Sequence, residues 1–250
     1  MNGARAAFDR RAETGPFDIV GDVHGCDDEL GELADELGYD TATLAHPGGR
    51  RLVFVGDLVN RGPKTVPVLR RVMPAVAAGH ALAVAGNHDA MLARWLAGGS
   101  GEENAGLRKS IDELESESAA FRQEVRVFLD ALPDYCWLDG GRLVVAHAGI
   151  AEAMLGQDSA TIRNFTVEGR TGGDWAADYQ GAAAIAYGHT PSELAEWFNN
   201  TICLDTGCVA GGRLTALRWP ERTLVSVKAK AVYSKPSRPF LKPRALRAGE

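Results

Sequence analysis

The sequence of 250 residues predicts an α/β fold built in layers. Three observations carry this reading. Short apolar runs at 17–20, 52–55, 81–85, 143–146 and 183–187 have the length and composition of buried strands. Helical stretches separate the first three runs, so strand, motif and helix recur through the first half. Each run also leads directly into a polar motif, which places Asp, His and Asn beyond strand after strand. In an open α/β sheet a site lies outside the carboxyl ends of the strands.

Along the chain, residues 1–15 read as a flexible lead-in. Residues 27–37 form a helix with Leu30, Leu33, Ala34 and Leu37 on one face, started by Asp27 or Asp28 as cap. Residues 46–50 are a turn. Residues 65–78 are a second helix, strained by Pro67 and Pro74. Residues 98–106 are a Gly-rich, mobile connection. Residues 111–132 are a charged helical insertion whose buried stripe is Phe121, Val125, Phe128, Leu129 and Leu132. It either walls a pocket or packs as a cap, with its charges mostly in water. The second half is richer in strands: a hairpin from 135–138 and 142–146 about Gly140-Gly141, then 201–205, 213–219 and 224–228. This makes one domain over 16–229 and a basic tail, 230–250, expected to be disordered.

Composition excludes several classes. An apolar share of 45% is enough for a full core. No apolar run is long enough to span a membrane, and the first fifteen residues lack a signal-peptide apolar stretch, so a cytoplasmic protein without membrane contact is expected. Cys26, Cys136, Cys203 and Cys208 show no zinc-ribbon or CxxC spacing and read as reduced thiols. The net charge of −6 is uneven. From Lys228 onward there are seven Lys or Arg and one acid, leaving 20 bases against 32 acids in the body. An acidic body argues against a broad nucleic-acid surface, whereas the tail is either a solvated terminus or a grip on an RNA backbone.

The polar motifs are Gly21-Asp22-Val23-His24-Gly25, Gly56-Asp57-Leu58-Val59-Asn60-Arg61-Gly62-Pro63, Gly86-Asn87-His88-Asp89, His147-Ala148-Gly149 and Gly188-His189-Thr190-Pro191. Four of the six histidines fall inside them; His46 and His80 do not, and read as turn or surface residues. Oxygen and imidazole donors gathered from distant segments suit a pair of divalent metals. Asp22 and His24, two apart at a strand end, reach the same way. Asp57 is the natural carboxylate to bridge two ions. Asn87 offers a neutral oxygen, and His147 and His189 add imidazoles. His88 is left to act as an acid beside a leaving oxygen, and Arg61 supplies a planar cationic fork for phosphate.

In this order the motifs resemble the calcineurin-like metallophosphoesterases, and within them the phosphoprotein-phosphatase branch. The resemblance runs from about Phe17 to Ala229. It implies a four-layer αββα sandwich with a helical insertion and a centre of two divalent ions, manganese foremost, with nickel, cobalt or iron as alternatives. It places Asp22 and His24 on the first metal, Asp57 as the bridge, and Asn87, His147 and His189 on the second. It also implies a second phosphate-binding arginine, best matched by Arg163 and otherwise by Arg170. Many members have Asp where this chain has Asn60. A neutral amide cannot raise an imidazole pKa by charge, so His88 is expected to be a weaker acid here.

Two bacterial groups are most similar. The stretch 204–208 with 211–217 is similar to diadenosine-tetraphosphate hydrolases and to the phosphatase domain of polynucleotide kinase-phosphatases. Stretches at 15–19, 125–132, 174–177 and 187–191 favour the second group. Asp205 is then a carboxylate behind the ligands or facing substrate, or a turn residue at a strand end. No Walker-type phosphate loop is present. The expected function is a dimetal phosphoesterase acting on nucleotides or RNA ends by attack of metal-bound hydroxide. The alternatives are a bis(5'-nucleosyl)-tetraphosphatase, a protein Ser/Thr phosphatase and a binding module without catalysis.

Overall fold

A computed structural model describes residues 8–99, 104–157, 160–170, 173–236 and 239–244. The first half runs β1 (Asp9–Arg10), β2 (Phe17–Val20), α1 (Asp27–Leu37), β3 (Arg51–Phe54), α2 (Thr65–Ala77), β4 (Ala81–Ala83) and α3 (Asn87–Leu96). Two helices follow, α4 (Ala105–Glu115) and α5 (Ala119–Ala131), then β5 (Tyr135–Leu138), β6 (Leu143–Ala146), α6 (Ala160–Thr166) and α7 (Trp175–Asp178). The chain closes with β7 (Ala184–Tyr187), β8 (Trp197–Phe198), β9 (Thr201–Cys203), β10 (Arg213–Trp219) and β11 (Thr223–Lys228).

These strands make two sheets, ordered β11-β10-β2-β3-β4 and β1-β5-β6-β7-β9-β8. Both are mixed: β2, β3 and β4 run parallel, as do β6, β7 and β9, while β10 pairs antiparallel with β2 and β11, and β5 antiparallel with β6. Side-chain alternation shows why the sheets stack. Phe17, Ile19, Val53 and Val55 on one sheet meet Leu143, Val145, Ala184 and Ala186 on the other in a shared apolar layer. Their alternates Val20, Leu52 and Phe54 turn the other way, onto α1 to α5. Val144, Ala146 and Ile185 turn outward onto Ile162 of α6 and Tyr179. Strands apolar on both faces must be covered on both faces, and the result is the αββα sandwich.

Several elements depart from expectation. Helix α1 starts at Cys26, with no side-chain cap, and Asp27 instead pairs with Arg71 of α2. It ends at Gly38, whose left-handed backbone (φ 88°) sends its N–H back toward Ala34. Pro67 falls in the first turn of α2, where a proline is tolerated; Pro74 lies inside it. The insertion is two helices rather than one. Asn104 caps α4, and Ser118 caps α5 by accepting from Phe121 N–H, so the chain breaks at the serines that periodicity passed over. Residues 100–103 of the Gly-rich connection lie outside the described residues.

Both ends differ from the sequence reading where they are described. Residues 9–10 form β1, paired in parallel with β5, so this part of the lead-in is an edge strand. In the tail, Lys230 N–H and Tyr233 O–H both donate to the Glu29 carboxylate at 2.8 Å. Leu241 exchanges backbone hydrogen bonds with Pro191 and Glu193. Proline and charge keep a segment from forming a core of its own, but they do not stop its backbone from pairing with an existing one.

Asp18, fully buried in β2, locks the far end of the first sheet. Arg50 grips it through Nε (2.9 Å) and Nη2 (2.8 Å), and Tyr39 O–H donates at 2.8 Å. Removing Asp18 leaves the buried Arg50 guanidinium with the exposed Glu221 carboxylate, 2.8 Å away, as its acid partner. Asp18→Ala should lower unfolding free energy by about 3–5 kcal/mol in a denaturant titration. A loss near zero would show that the Arg50 charge escapes to water.

Candidate metal centre and active site

The loops after β2, β3, β4, β6 and β7 converge at one end of the sandwich. Asp57 lies between two imidazoles: His24 Nε2 is 3.4 Å from its Oδ2, and His147 Nε2 is 3.4 Å from its Oδ1. Asn87 Oδ1 stands 3.0 Å from His147 Nε2 and 3.1 Å from His189 Nδ1, and those two nitrogens are themselves 3.1 Å apart. Asp22 accepts the His189 backbone N–H. Ligand-type atoms group as Asp22, Asp57 and His147, and as His24, Asp57 and His88, each set within 4.8 Å. The six residues read from the sequence as ligands are thus brought together.

The tautomers test whether this set suits cations. His147 Nδ1 faces the carbonyl of Val55 at 3.1 Å and His24 Nδ1 faces that of Val59 at 3.0 Å. A carbonyl only accepts, so each Nδ1 carries the proton and each Nε2 presents a lone pair inward. His147 Nε2 then points its lone pair at the lone pairs of Asn87 and Asp57. That arrangement is repulsive by itself and is relieved by a cation placed among the donors. Burial enforces the same state. It pushes His147 and His189 down to about 3 and His24 well below its usual range, so the rings are neutral. Burial also raises Asp57 to about 7 and Asp205 to about 6, and lifts Asp22, which is raised further by Asp205 and Asp57. A crowded set of desolvated carboxylates and neutral imidazoles fits metal binding.

Local backbone explains the placement. His24, Asp57, Asn60, Arg61 and His189 all have positive φ, from 45° to 75°. A left-handed residue directly after a strand turns the chain sharply and throws its side chain over the sheet edge. The motif glycines make room for this crossing. A Cβ on Gly86 would lie 2.2 Å from Asp57 N, and one on Gly188 would lie 1.9 Å from Asp22 Oδ1.

Among the residues read as catalytic, Arg61 Nη1 lies 3.3 Å from His24 Nε2, at the cluster. Asn60 is fully buried; its Nδ2 donates to the His88 carbonyl at 3.1 Å and lies 3.2 Å from His88 Nδ1. The carbonyl contact sets the amide's direction, so a donor faces His88 Nδ1. Burial, then His24 and Arg61, lower the pKa of His88. Asp205 is buried near Asp22 and accepts Gly207 N–H at 3.0 Å. Arg163 is placed elsewhere: it pairs with Asp134, from α6. Arg170 is exposed, on the loop after α6. Arg163 is thus engaged away from the cluster, whereas Arg170 follows Gly169, whose Cβ position lies 2.3 Å from His189 Nε2.

Sequence reasoning missed four residues here. Asp89, fully buried, accepts N–H from Leu58 and Gly86 at 3.0 Å each, tying two motifs together. Ser110 Oγ of α4 takes Asn60 N–H at 3.0 Å. Glu113 of α4 takes Thr65 and Val66 N–H at the start of α2. Lys109, also of α4, donates to the carbonyls of Arg61 and Tyr233. The insertion's charges are thus not all solvated; this face holds the Asn60-Arg61 loop. The available signal was the i, i+3 or i+4 spacing of Lys109, Ser110 and Glu113 beside an apolar stripe.

Residues 15–219 match the calcineurin-like phosphoesterase family model, and the chain belongs to that family. Its members use a dimetal centre, and the chain is a hydrolase of phosphate esters or anhydrides. The chain is 39% identical over 242 residues to a protein of Anoxybacillus flavithermus named bis(5'-nucleosyl)-tetraphosphatase PrpE (asymmetrical), covering 90% of this chain and 99% of that one. A protein of the same name from Bacillus velezensis is 42% identical over 234 residues, covering 87% and 94%. A crystal structure described as a candidate diadenosine tetraphosphatase aligns with a TM-score of 0.68 at 27% identity, over 90% of this chain and 98% of that one. A protein serine/threonine phosphatase of Saccharomyces cerevisiae shares the fold, with a TM-score of 0.55 at 13% identity over 93% and 85%.

Gly188→Ala would force Asp22 from its position while leaving every ligand in the sequence. Metal affinity should fall about 10–100-fold, measured by competition with a chelating dye. Unchanged affinity would mean that the Asp22 carboxylate can swing aside and still bind.

Proposed function

We propose that this chain hydrolyses dinucleoside tetraphosphates off centre, using two manganese ions. The observation that carries the reading is the convergence of Asp57, Asn87, His147 and His189 within about 3 Å contacts in a chain alike, over nearly its whole length, to proteins named asymmetrical tetraphosphatases. Asp22, His24 and Asp57 would hold one ion, and Asp57, Asn87, His147 and His189 the other. When bound, such ions supply Lewis acidity to a water and to phosphoryl oxygens. Manganese suits a set of carboxylates, amide oxygen and imidazoles without thiolate; nickel, cobalt and iron are the other ions the set admits.

The protein's own groups do the rest. Arg61 neutralises charge on the phosphoryl group. Asp57 Oδ1 accepts the His88 backbone N–H at 2.9 Å, which fixes His88 beside the reacting centre. In the reaction a bridging P–O bond breaks, the water oxygen joins one phosphorus, and the other fragment leaves as a phosphate oxygen. That leaving group is already a weak base and needs little help from an acid. Asn60 supports an anhydride substrate for this reason: it gives His88 a neutral partner, not a carboxylate that would favour the imidazolium. An alkyl phosphate ester, or an RNA 3′-phosphate, expels a far more basic oxygen. RNA ends are the second reading, supported by the likeness of stretches 15–19, 125–132, 174–177 and 187–191 to polynucleotide phosphatase domains.

With manganese, diadenosine tetraphosphate should yield equal AMP and ATP on anion-exchange chromatography. Two ADP would exclude the off-centre cut, and turnover of RNA 3′-phosphate alone would favour the second reading. His147→Ala is the blank.

Asn60→Asp should raise the rate on an alkyl phosphate relative to that on diadenosine tetraphosphate by about tenfold or more. An unchanged ratio would remove the leaving-group argument.

A further inference from the structure

Beside the metal centre lies a cavity of about 330 Å³ that the chemistry above does not use. Gly188 and His189 line it, so the cavity borders the candidate centre. Three aromatic residues border it: Trp175, Tyr187 and Phe198. Trp175 and Tyr187 pack edge to face with ring centres 5.0 Å apart, and a Cβ on Gly149 would strike Trp175, so the indole is wedged against the His147-Ala148-Gly149 motif.

The outer wall comes from the C-terminal segment. Arg244 sits over the Phe198 ring at 3.9 Å and binds both oxygens of Asp174 at 2.7 and 2.8 Å. Its backbone N–H donates to Glu196 at 2.6 Å. Leu241 also lines the cavity, held by its backbone bonds to Pro191 and Glu193. The segment is therefore built into the site and is not a free basic arm at these residues.

We infer that this cavity is the nucleoside pocket, which receives one base and ribose of a nucleotide substrate while the phosphates extend past His189. The inference rests on the hydrolysis of nucleoside polyphosphates proposed above and adds where the nucleoside sits. Aromatic rings and an arginine plane are the surfaces on which bases stack. A volume near the lower end for ligand sites fits one nucleoside and not two. The Glu196 carboxylate keeps acceptor capacity beyond the Arg244 N–H, which suits the amino group of a base. The second nucleoside of a dinucleotide then lies outside, and the cut is placed relative to the bound end alone.

Adenosine, which has no phosphate to bind metal, is the probe. Equilibrium dialysis on the manganese-loaded chain should show binding, weakened about tenfold or more in Phe198→Ala and in Arg244→Ala. Arg244→Ala opens the wall at a residue outside the strands, and a thermal melt checks that both variants are folded. The ratio of kcat/KM for diadenosine tetraphosphate to that for inorganic tetraphosphate should fall about tenfold in both. If wild-type chain binds no adenosine, or both variants keep the ratio, the pocket is overturned. If wild-type binds adenosine but leaves diadenosine tetraphosphate intact, the pocket stands as a nucleoside site and the tetraphosphatase reading falls.

Discussion

The structure depends on how closely five strand-end loops are packed. Asp57 and Gly86 meet backbone to backbone, and Asp22 crosses Gly188 with no space for a methyl group. To reach these positions His24, Asp57 and His189 take left-handed conformations that cost on the order of 1–3 kcal/mol each. Such strain persists only where the surroundings over-determine it. Here the two-sheet core holds the strand ends rigid, and Asp89 bolts the second and third motifs together.

Electrostatics follows from that crowding. Desolvation alone would favour neutral carboxyls and does favour neutral imidazoles, which leaves the His147 Nε2 lone pair facing Asn87 Oδ1 at 3.0 Å. The protein thus stores an unfavourable arrangement that positive charge relieves. The carbonyls of Val55 and Val59, one residue before a motif or within it, set the ring tautomers and so decide which nitrogen faces inward.

Two peripheral pieces are part of the same device. Helix α4 holds the loop carrying Asn60 and Arg61 through Ser110, Glu113 and Lys109. The C-terminal segment lies across Pro191 of the last histidine motif, and Arg244 reaches Asp174, which also lines the cavity. Composition marks both as surface, because their polar groups are many and their apolar groups few. What composition does not record is that those polar groups find partners on the site loops.

The sequence by itself determined the sandwich and the gathering of Asp, His and Asn side chains at one edge of it. Strand runs apolar on both faces require covering on both sides, and Asp, His and Asn placed just past each strand end have nowhere to go but a common edge. Cys26 as the start of α1, the break at Ser118 and the β1 edge strand were not legible, since each depends on a local competition among near-equal options. Arg163 shows the limit most clearly. It has the right chemistry and a plausible spacing, yet Asp134 takes it. Tertiary structure alone decided that pairing, the role of α4 and the cavity beside His189, because each is a contact between segments whose approach no spacing along the chain encodes.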